Sequence, residues 1–245
     1  MKPKGIGLRW KYSQGVMMIV SEIFYSVQGE GPNMGTPSVF LRLTHCNLRC
    51  SFCDSKYTWK QEEIPDVEQT GEFTPEEVRE KLIKYGCPNL VITGGEPLVQ
   101  QRELEKLLPL IRSDFKWIEM ETNGSLNPSD TLVKYINLFI VSPKMENSGN
   151  LKESRENPEV LHFYGAPGAR AVFKFVVGNE TDLQEVTEFV TKYQIPKAKV
   201  FLMPEGILRD DIIDKSEWII EKCKELGYRF STRLHVLIWN NKRKV

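Results

Sequence analysis

From Thr74 onward the chain repeats one pattern: a β-branched or aromatic run, a polar turn, then an amphipathic stretch with helix-start signals. The first such stretch is "TPEEVREKLIKYG". Thr74 is set to cap the helix, Pro75 to occupy its first position, Glu77 to close a capping box, and Gly86 to lie past its end. The strand "NLVIT" (89–93) follows, then a helix of about a dozen residues from Gln101, the strand "KWIEMET", and a short helix over 129–136. The same reading makes "LFIVS" a strand, 145–169 a polar insertion, and "RAVFKFVVG" and "KVFLMP" strands. Between those last two strands a helix opens on a Thr181…Gln184 box. A helix over 210–226 and a closing strand, "STRLHVLIW", complete the chain.

Two further strands, Ile19–Ser26 and Ser38–Leu43, precede this alternation and flank the turn-rich "VQGEGPNMGTP". Residues 60–72 form a polar excursion, 1–17 an N-terminal extension, and 18–245 a single domain. About six strand–helix steps with apolar strands specify an α/β fold with a parallel sheet. Alternation alone does not separate an open sheet from an incomplete (β/α) barrel. The polar motifs favour the barrel: "HCNLRC", "TGGEP", "ETNG", "SPK" and "MPEG" each follow a strand, and a barrel's C-terminal mouth gathers such residues at one site.

Thirty-three basic residues balance thirty-three acidic ones, so the net charge gives no reason to expect a nucleic-acid or membrane partner. No stretch approaches the ~18 apolar residues of a membrane span. The N-terminus is basic without the apolar core of a signal peptide, and "NNKRKV" reads as a solvated tail. These features lead to the expectation of a cytoplasmic protein. Its five cysteines are odd in number, and three of them fall within "CNLRCSFC", at Cys46, Cys50 and Cys53. In a reducing compartment that clustering indicates metal or redox chemistry rather than a disulfide framework. Structural zinc needs four ligands, and no second C-x2-C pair is present. A [4Fe–4S] cube held by three cysteines leaves one iron open for another ligand.

The C-x3-C-x2-C spacing, followed by "GGEP" at Gly94–Pro97, resembles the radical S-adenosylmethionine (SAM) enzymes. In these the open iron is chelated by the cofactor's amino and carboxylate groups, and cofactor cleavage releases a 5′-deoxyadenosyl radical. The resemblance implies cluster ligation by Cys46, Cys50 and Cys53. It implies cofactor contacts at Phe52, Cys53, Asp54, Gly94, Gly95, Glu96, Ser142, Pro143 and Lys144, with Phe52 packing on adenine and Glu96 complementing the ammonium.

The longer segment "EIFYSVQGEGPNMGTPSVFLRLTHCNLRCSFCDSKYT", with "TGGEP", "ETNG", "SPK" and "LMPEG", resembles the 7-carboxy-7-deazaguanine synthase family. That family converts 6-carboxy-5,6,7,8-tetrahydropterin to 7-carboxy-7-deazaguanine with loss of ammonia and with magnesium assisting. The product belongs to queuosine and deazapurine biosynthesis. Substrate contacts then fall on Val27, Gln28, Gly29, Glu30, Arg42 and Thr93. A pterin edge suits the Gln28 and Glu30 side chains, and a carboxylate suits the Arg42 guanidinium. The family's magnesium-ligating threonine is replaced by Ser55, whose hydroxyl keeps a hard oxygen. A flavodoxin- or ferredoxin-like electron donor and a homodimer are also implied. Glu121 and Asn123, at the end of a strand in "ETNG", are expected near the site without assigned roles, and Arg233 and His235 near the C-terminus are candidates to close the pocket, though a lone histidine on a strand is more often simply packed. Cys87 and Cys223 read as ordinary thiols.

Two alternatives stand beside this reading. A glycyl-radical activase would share the cysteines and "GGEP" but not the "QGEG…R" segment. A zinc-stabilised binding module would explain the cysteines and leave the strand-end motifs as coincidence.

Overall fold

The computed structural model describes residues 17–60 and 70–242. The expected extension (apart from Met17), most of the polar excursion and the last three tail residues lie outside them. Strand β1 (Met18–Val27) and strand β2 (Pro37–Leu43) pair antiparallel as a hairpin, and β3 (Gly71–Phe73) adds to the other side of β1. Beyond β2 every pairing is parallel: β4 (Asn89–Gly94), β5 (Trp117–Thr122), β6 (Leu138–Val141), β7 (Ala171–Val177), β8 (Val200–Pro204) and the two-residue β9 (Arg229–Phe230). The order is β3-β1-β2-β4-β5-β6-β7-β8-β9. Six substantial parallel strands therefore form an incomplete barrel whose edges, β3 and β9, do not meet.

Side-chain alternation along each strand divides the sheet into two faces. Leu41, Ile92, Met120, Val141, Phe173 and Leu202 pack into one continuous apolar core with the helices. The opposite face runs through Phe40 and Arg42, Val91 and Thr93, Glu119 and Glu121, then Lys174 and Val176, then Phe201 and Met203. Their registers are consistent: Arg42 lies opposite Thr93, Lys174 opposite Phe201 and Val176 opposite Met203. Toward the C-terminal strand ends this face becomes polar, and there it lines a cavity.

The helices are α1 (Pro75–Ile83), α2 (Gln101–Ile111), α3 (Asp130–Tyr135), α4 (Lys152–Arg155), α5 (Pro158–Gly165), α6 (Glu180–Lys192), α7 (Arg209–Leu226) and α8 (Leu234–Trp239). The capping box of α1 forms as its sequence specifies: Glu77 N donates to Thr74 Oγ1 at 3.2 Å and Thr74 N to Glu77 Oε2 at 2.8 Å. Three expectations are corrected. Helix α6 is capped by Asn179, which accepts from Asp182 N at 3.0 Å, so the Thr181…Gln184 box lies inside the helix. The 145–169 insertion, read as polar, contains α4 and α5, and α5 buries Val160, Leu161 and Tyr164 in the core. "STRLHVLIW" is not a strand, because its apolar half coils into α8 with Leu237 N donating to Arg233 O at 3.0 Å. A short apolar run suits either state, and here packing on the "QGEG" loop selects the helix.

Phe175 is fully buried on the helix-facing side of β7, its ring edge-on to Phe189 at 5.6 Å. Phe175→Ala should lower unfolding stability by about 3–5 kcal/mol in a urea titration. A loss under ~1 kcal/mol would contradict this packing.

Candidate active site

The three clustered cysteines sit on the loop leaving β2, and backbone contacts with the "GGEP" turn fix that loop. Gly95 N donates to Leu43 O at 3.1 Å and Glu96 N to His45 O at 2.8 Å. Gly94 has φ +148°, and a Cβ on it would collide with the Leu43 backbone; one on Gly95 would collide with His45 O. Both glycines are therefore required by approach to the cysteine loop itself. On the other side, Ser51 N and Ser51 Oγ donate to Ser148 O and Asn147 O at 2.9 and 3.0 Å. This part of the 145–169 insertion clamps the loop.

Cys46, Cys50 and Cys53 all open onto one cavity of about 250 Å³ at the C-terminal strand ends, and none is in a disulfide. Burial pushes the Cys46 thiol up to about 11 and raises Cys50 as well, while the nearby Lys144 ammonium opposes both shifts. Thiols so placed ionise when a cationic centre binds them. Among the described residues no three His, Cys, Asp or Glu side chains converge as ligands of a single ion. Three thiols facing one cavity fit the thiolate ligation of a [4Fe–4S] cluster.

The cavity also receives Phe52, Asp54, Ser55, Gly94, Gly95, Ser142 and Lys144, together with Val27, Gln28, Gly29, Glu30, Arg42 and Thr93. Two expected residues do not line it. Pro143 is buried behind Ser142 and Lys144. Glu96 is fully buried, and both its oxygens are engaged within the fold. Oε1 accepts from Leu98 N at 3.1 Å and Thr122 Oγ1 at 2.9 Å, and Oε2 from Asn123 N at 2.6 Å. Its carboxylate thus ties "GGEP" to "ETNG". A parallel tie runs from the cysteine loop, where Asn47 Oδ1 accepts from Asn123 Nδ2 at 2.9 Å.

The cavity is also lined by an ion network, buried at Glu30, Lys174 and Arg233 and half-exposed at Asp54. Glu30 pairs with Lys174 and with Arg233 Nε at 3.0 Å, and Arg233 also pairs with Asp54. Burial opposes ionisation of Glu30, yet the Lys174 and Arg233 cations outweigh it and hold the carboxyl well below its ordinary range. Arg42 Nε is fixed by Glu22 Oε1 at 2.7 Å, and Tyr57 Oη donates to that same oxygen at 3.0 Å. Gln28 Nε2 donates to Glu119, while Thr93 Oγ1 donates to Glu121 Oε2 at 2.9 Å. Helix α8 closes over this wall: Leu234 N donates to Gly29 O at 2.9 Å, and a Cβ on Gly29 would strike the His235 ring. Burial, more than any neighbour, lowers the His235 pKa.

Sequence reasoning missed Lys174 and Trp59 on the cavity wall. A lone charge within "AVFKFVV" was the available signal for Lys174. Trp59 carried none, since tryptophan after a turn usually reports packing alone.

Residues 41–143 match the Radical SAM superfamily. Over longer spans the chain is 38% identical to the 7-carboxy-7-deazaguanine synthase of Pyrobaculum aerophilum, with 91% of this chain and 96% of that protein covered. It is 37% identical to the 7-carboxy-7-deazaguanine synthase of Hyperthermus butylicus, with 89% and 92% covered. The crystal structure of QueE from Escherichia coli aligns with a TM-score of 0.67 at 25% identity, covering 91% of this chain and 96% of that one. The site and fold are those of a radical SAM enzyme, which carries a [4Fe–4S] cluster, uses SAM and needs a reductant. Within that class the chain belongs to the 7-carboxy-7-deazaguanine synthase family.

The Glu30 pairing predicts a signed pH dependence. A carboxyl whose native pKa is depressed below 4.5 adds its full stability above that pH and loses it as the pH falls toward the native value. Glu30→Gln should cost about 3–5 kcal/mol near neutrality by leaving buried Lys174 without its ion-pair partner and Arg233 with Asp54 alone. In urea titrations its deficit against wild type should be constant above about pH 5 and shrink in acid. A deficit that grows in acid would contradict the assigned pairing.

Proposed function

We propose that this protein is a 7-carboxy-7-deazaguanine synthase, acting on 6-carboxy-5,6,7,8-tetrahydropterin with loss of ammonia. One observation carries the reading: the three clustered thiols and the "QGEG" loop with Arg42 face each other across a single cavity. Cys46, Cys50 and Cys53 would hold the cluster. When bound, the cluster and SAM supply a 5′-carbon radical able to take hydrogen from the pterin C6.

The protein's own residues bind, orient and shield. Backbone at Gly94 and Gly95, with Ser142 and Lys144, would receive the methionyl part of the cofactor. Phe52 would stack on its adenine, with Cys53 and Asp54 beside it. Glu96 and Pro143 fit support of that wall from behind, since neither lines the cavity. The Arg42 guanidinium, steadied by Glu22, is suited to the substrate carboxylate. Val27, Gln28, Gly29, Glu30 and Thr93 would meet the aminopyrimidinone edge. Gln28 is itself oriented by Glu119, and Thr93 by Glu121. Phe24, Phe40, Leu48 and Met203 give this space apolar wall that keeps water from a reactive carbon.

A magnesium ion fits the reading through Ser55, whose hydroxyl lines the cavity beside Asp54 and so offers oxygen chemistry suited to that ion. Residues 18–245 would act as one catalytic unit in the cytoplasm, as a homodimer served by a flavodoxin- or ferredoxin-like donor. No helix among the described residues is long and apolar enough to cross a membrane.

The test is an anaerobic assay of protein reconstituted with iron and sulfide, supplied with dithionite, SAM, magnesium and 6-carboxytetrahydropterin. Mass spectrometry should detect 7-carboxy-7-deazaguanine with the wild type and none with Cys50→Ala. If 5′-deoxyadenosine forms without that product, the pterin assignment fails. A fully loaded cluster that yields neither compound would overturn the proposal.

A further inference from the structure

Each of the three cysteine sulfurs is met by one N–H donor, and two of these donors are side chains. Leu48 N approaches Cys46 Sγ at 3.4 Å, Asn150 Nδ2 approaches Cys50 Sγ at 3.2 Å, and Trp59 Nε1 approaches Cys53 Sγ at 3.4 Å. The first is a turn of the loop's own backbone. The other two come from outside the C-x3-C-x2-C motif, one of them from a residue 100 positions further along the chain.

Both side-chain donors are held in orientation. Asn150 Oδ1 accepts from Arg49 N at 2.8 Å, which turns the amide so that its NH₂ faces the sulfur. That NH₂ also lies near Ser148 Oγ and Ser148 O, at 3.2 and 3.4 Å. Trp59 can only donate through its indole nitrogen, and the Arg49 guanidinium covers its ring at 4.8 Å from the centroid. Arg49 itself is anchored by donating to Cys46 O and Leu48 O at 2.5 and 2.8 Å. One arginine between the first two cysteines therefore braces both donors. Cys53 Sγ additionally has the Ser55 hydroxyl at 3.8 Å.

We propose that Asn150 and Trp59 set the reduction potential of the cluster by hydrogen-bonding the sulfurs of Cys50 and Cys53. Reduction places one more negative charge on the centre, much of it on sulfur. A donor aimed at that sulfur stabilises the reduced form more than the oxidised one, and so raises the potential. These are positioning residues: they touch the thiolates and neither substrate nor reacting carbon. The proposal rests on the cluster belonging to the three cysteines and not on the identity of the pterin.

The test is a redox titration of reconstituted protein followed by electron paramagnetic resonance of the reduced cluster, without pterin. Trp59→Phe keeps an aromatic ring under Arg49 and removes the N–H; Asn150→Leu keeps the volume and removes the amide. Each should lower the reduction equilibrium about tenfold, a shift of ~59 mV to more negative potential for one electron. The double variant should shift further negative than either single one, any departure from the sum reporting coupling through the shared Arg49. Iron and sulfide content is measured on every sample. An unchanged or more positive potential in fully loaded Trp59→Phe would overturn the proposal. Loss of cluster from both single variants would also overturn it, assigning the bonds to loop structure instead. Because no pterin is present, failure of the pterin assignment leaves this result unaffected.

Discussion

The site depends on one main-chain contact, the approach of Gly94 and Gly95 to the backbone of Leu43 and His45. Parallel pairing of β2 and β4 continues past the end of the strands into the cysteine loop, because two residues without Cβ allow it. From there the order spreads sideways. Glu96 passes it to β5 through Thr122 and Asn123, and Asn123 returns it to the loop through Asn47. Three strand ends are thereby stitched together before any cofactor is considered. The loop carrying three thiols is thus tied to the sheet beneath it by hydrogen bonds.

The opposite wall is built on charge. Lys174, Glu30 and Arg233 bury a chain of alternating charges, and Asp54, half-exposed on the cysteine loop, closes its outer end. In a low-dielectric cavity such a chain is stable only when each charge has a partner. Arg42 lies outside this chain and answers to Glu22 instead. The cavity thus has a wall fixed by backbone geometry and a wall fixed by electrostatics.

Much of this was legible in the sequence because it is local. The cysteine spacing, the capping box at Thr74 and the polar motifs after strands are each confined to a few residues, and each formed where expected. What escaped was non-local or ambiguous. Glu96 carries the charge that an ammonium wants, and its position behind the cavity wall, bonded to Thr122 and Asn123 of the next strand end, is something no tetrapeptide reveals. "LHVLIW" suits a strand as well as a helix until its packing on Gly29 decides. Trp59 and Asn150 gain meaning only from the sulfurs beside them.

The closure of α8 on the "QGEG" loop has a consequence for how the site comes into being. Arg233 reaches Glu30 across 203 residues of chain, whereas the cysteine loop and its glycine support span only about fifty. Closing the longer of these two loops costs about 1 kcal/mol more in chain entropy. The charged wall therefore carries the larger closure cost, and α8, which completes it, is also the last part of the cavity wall to leave a ribosome.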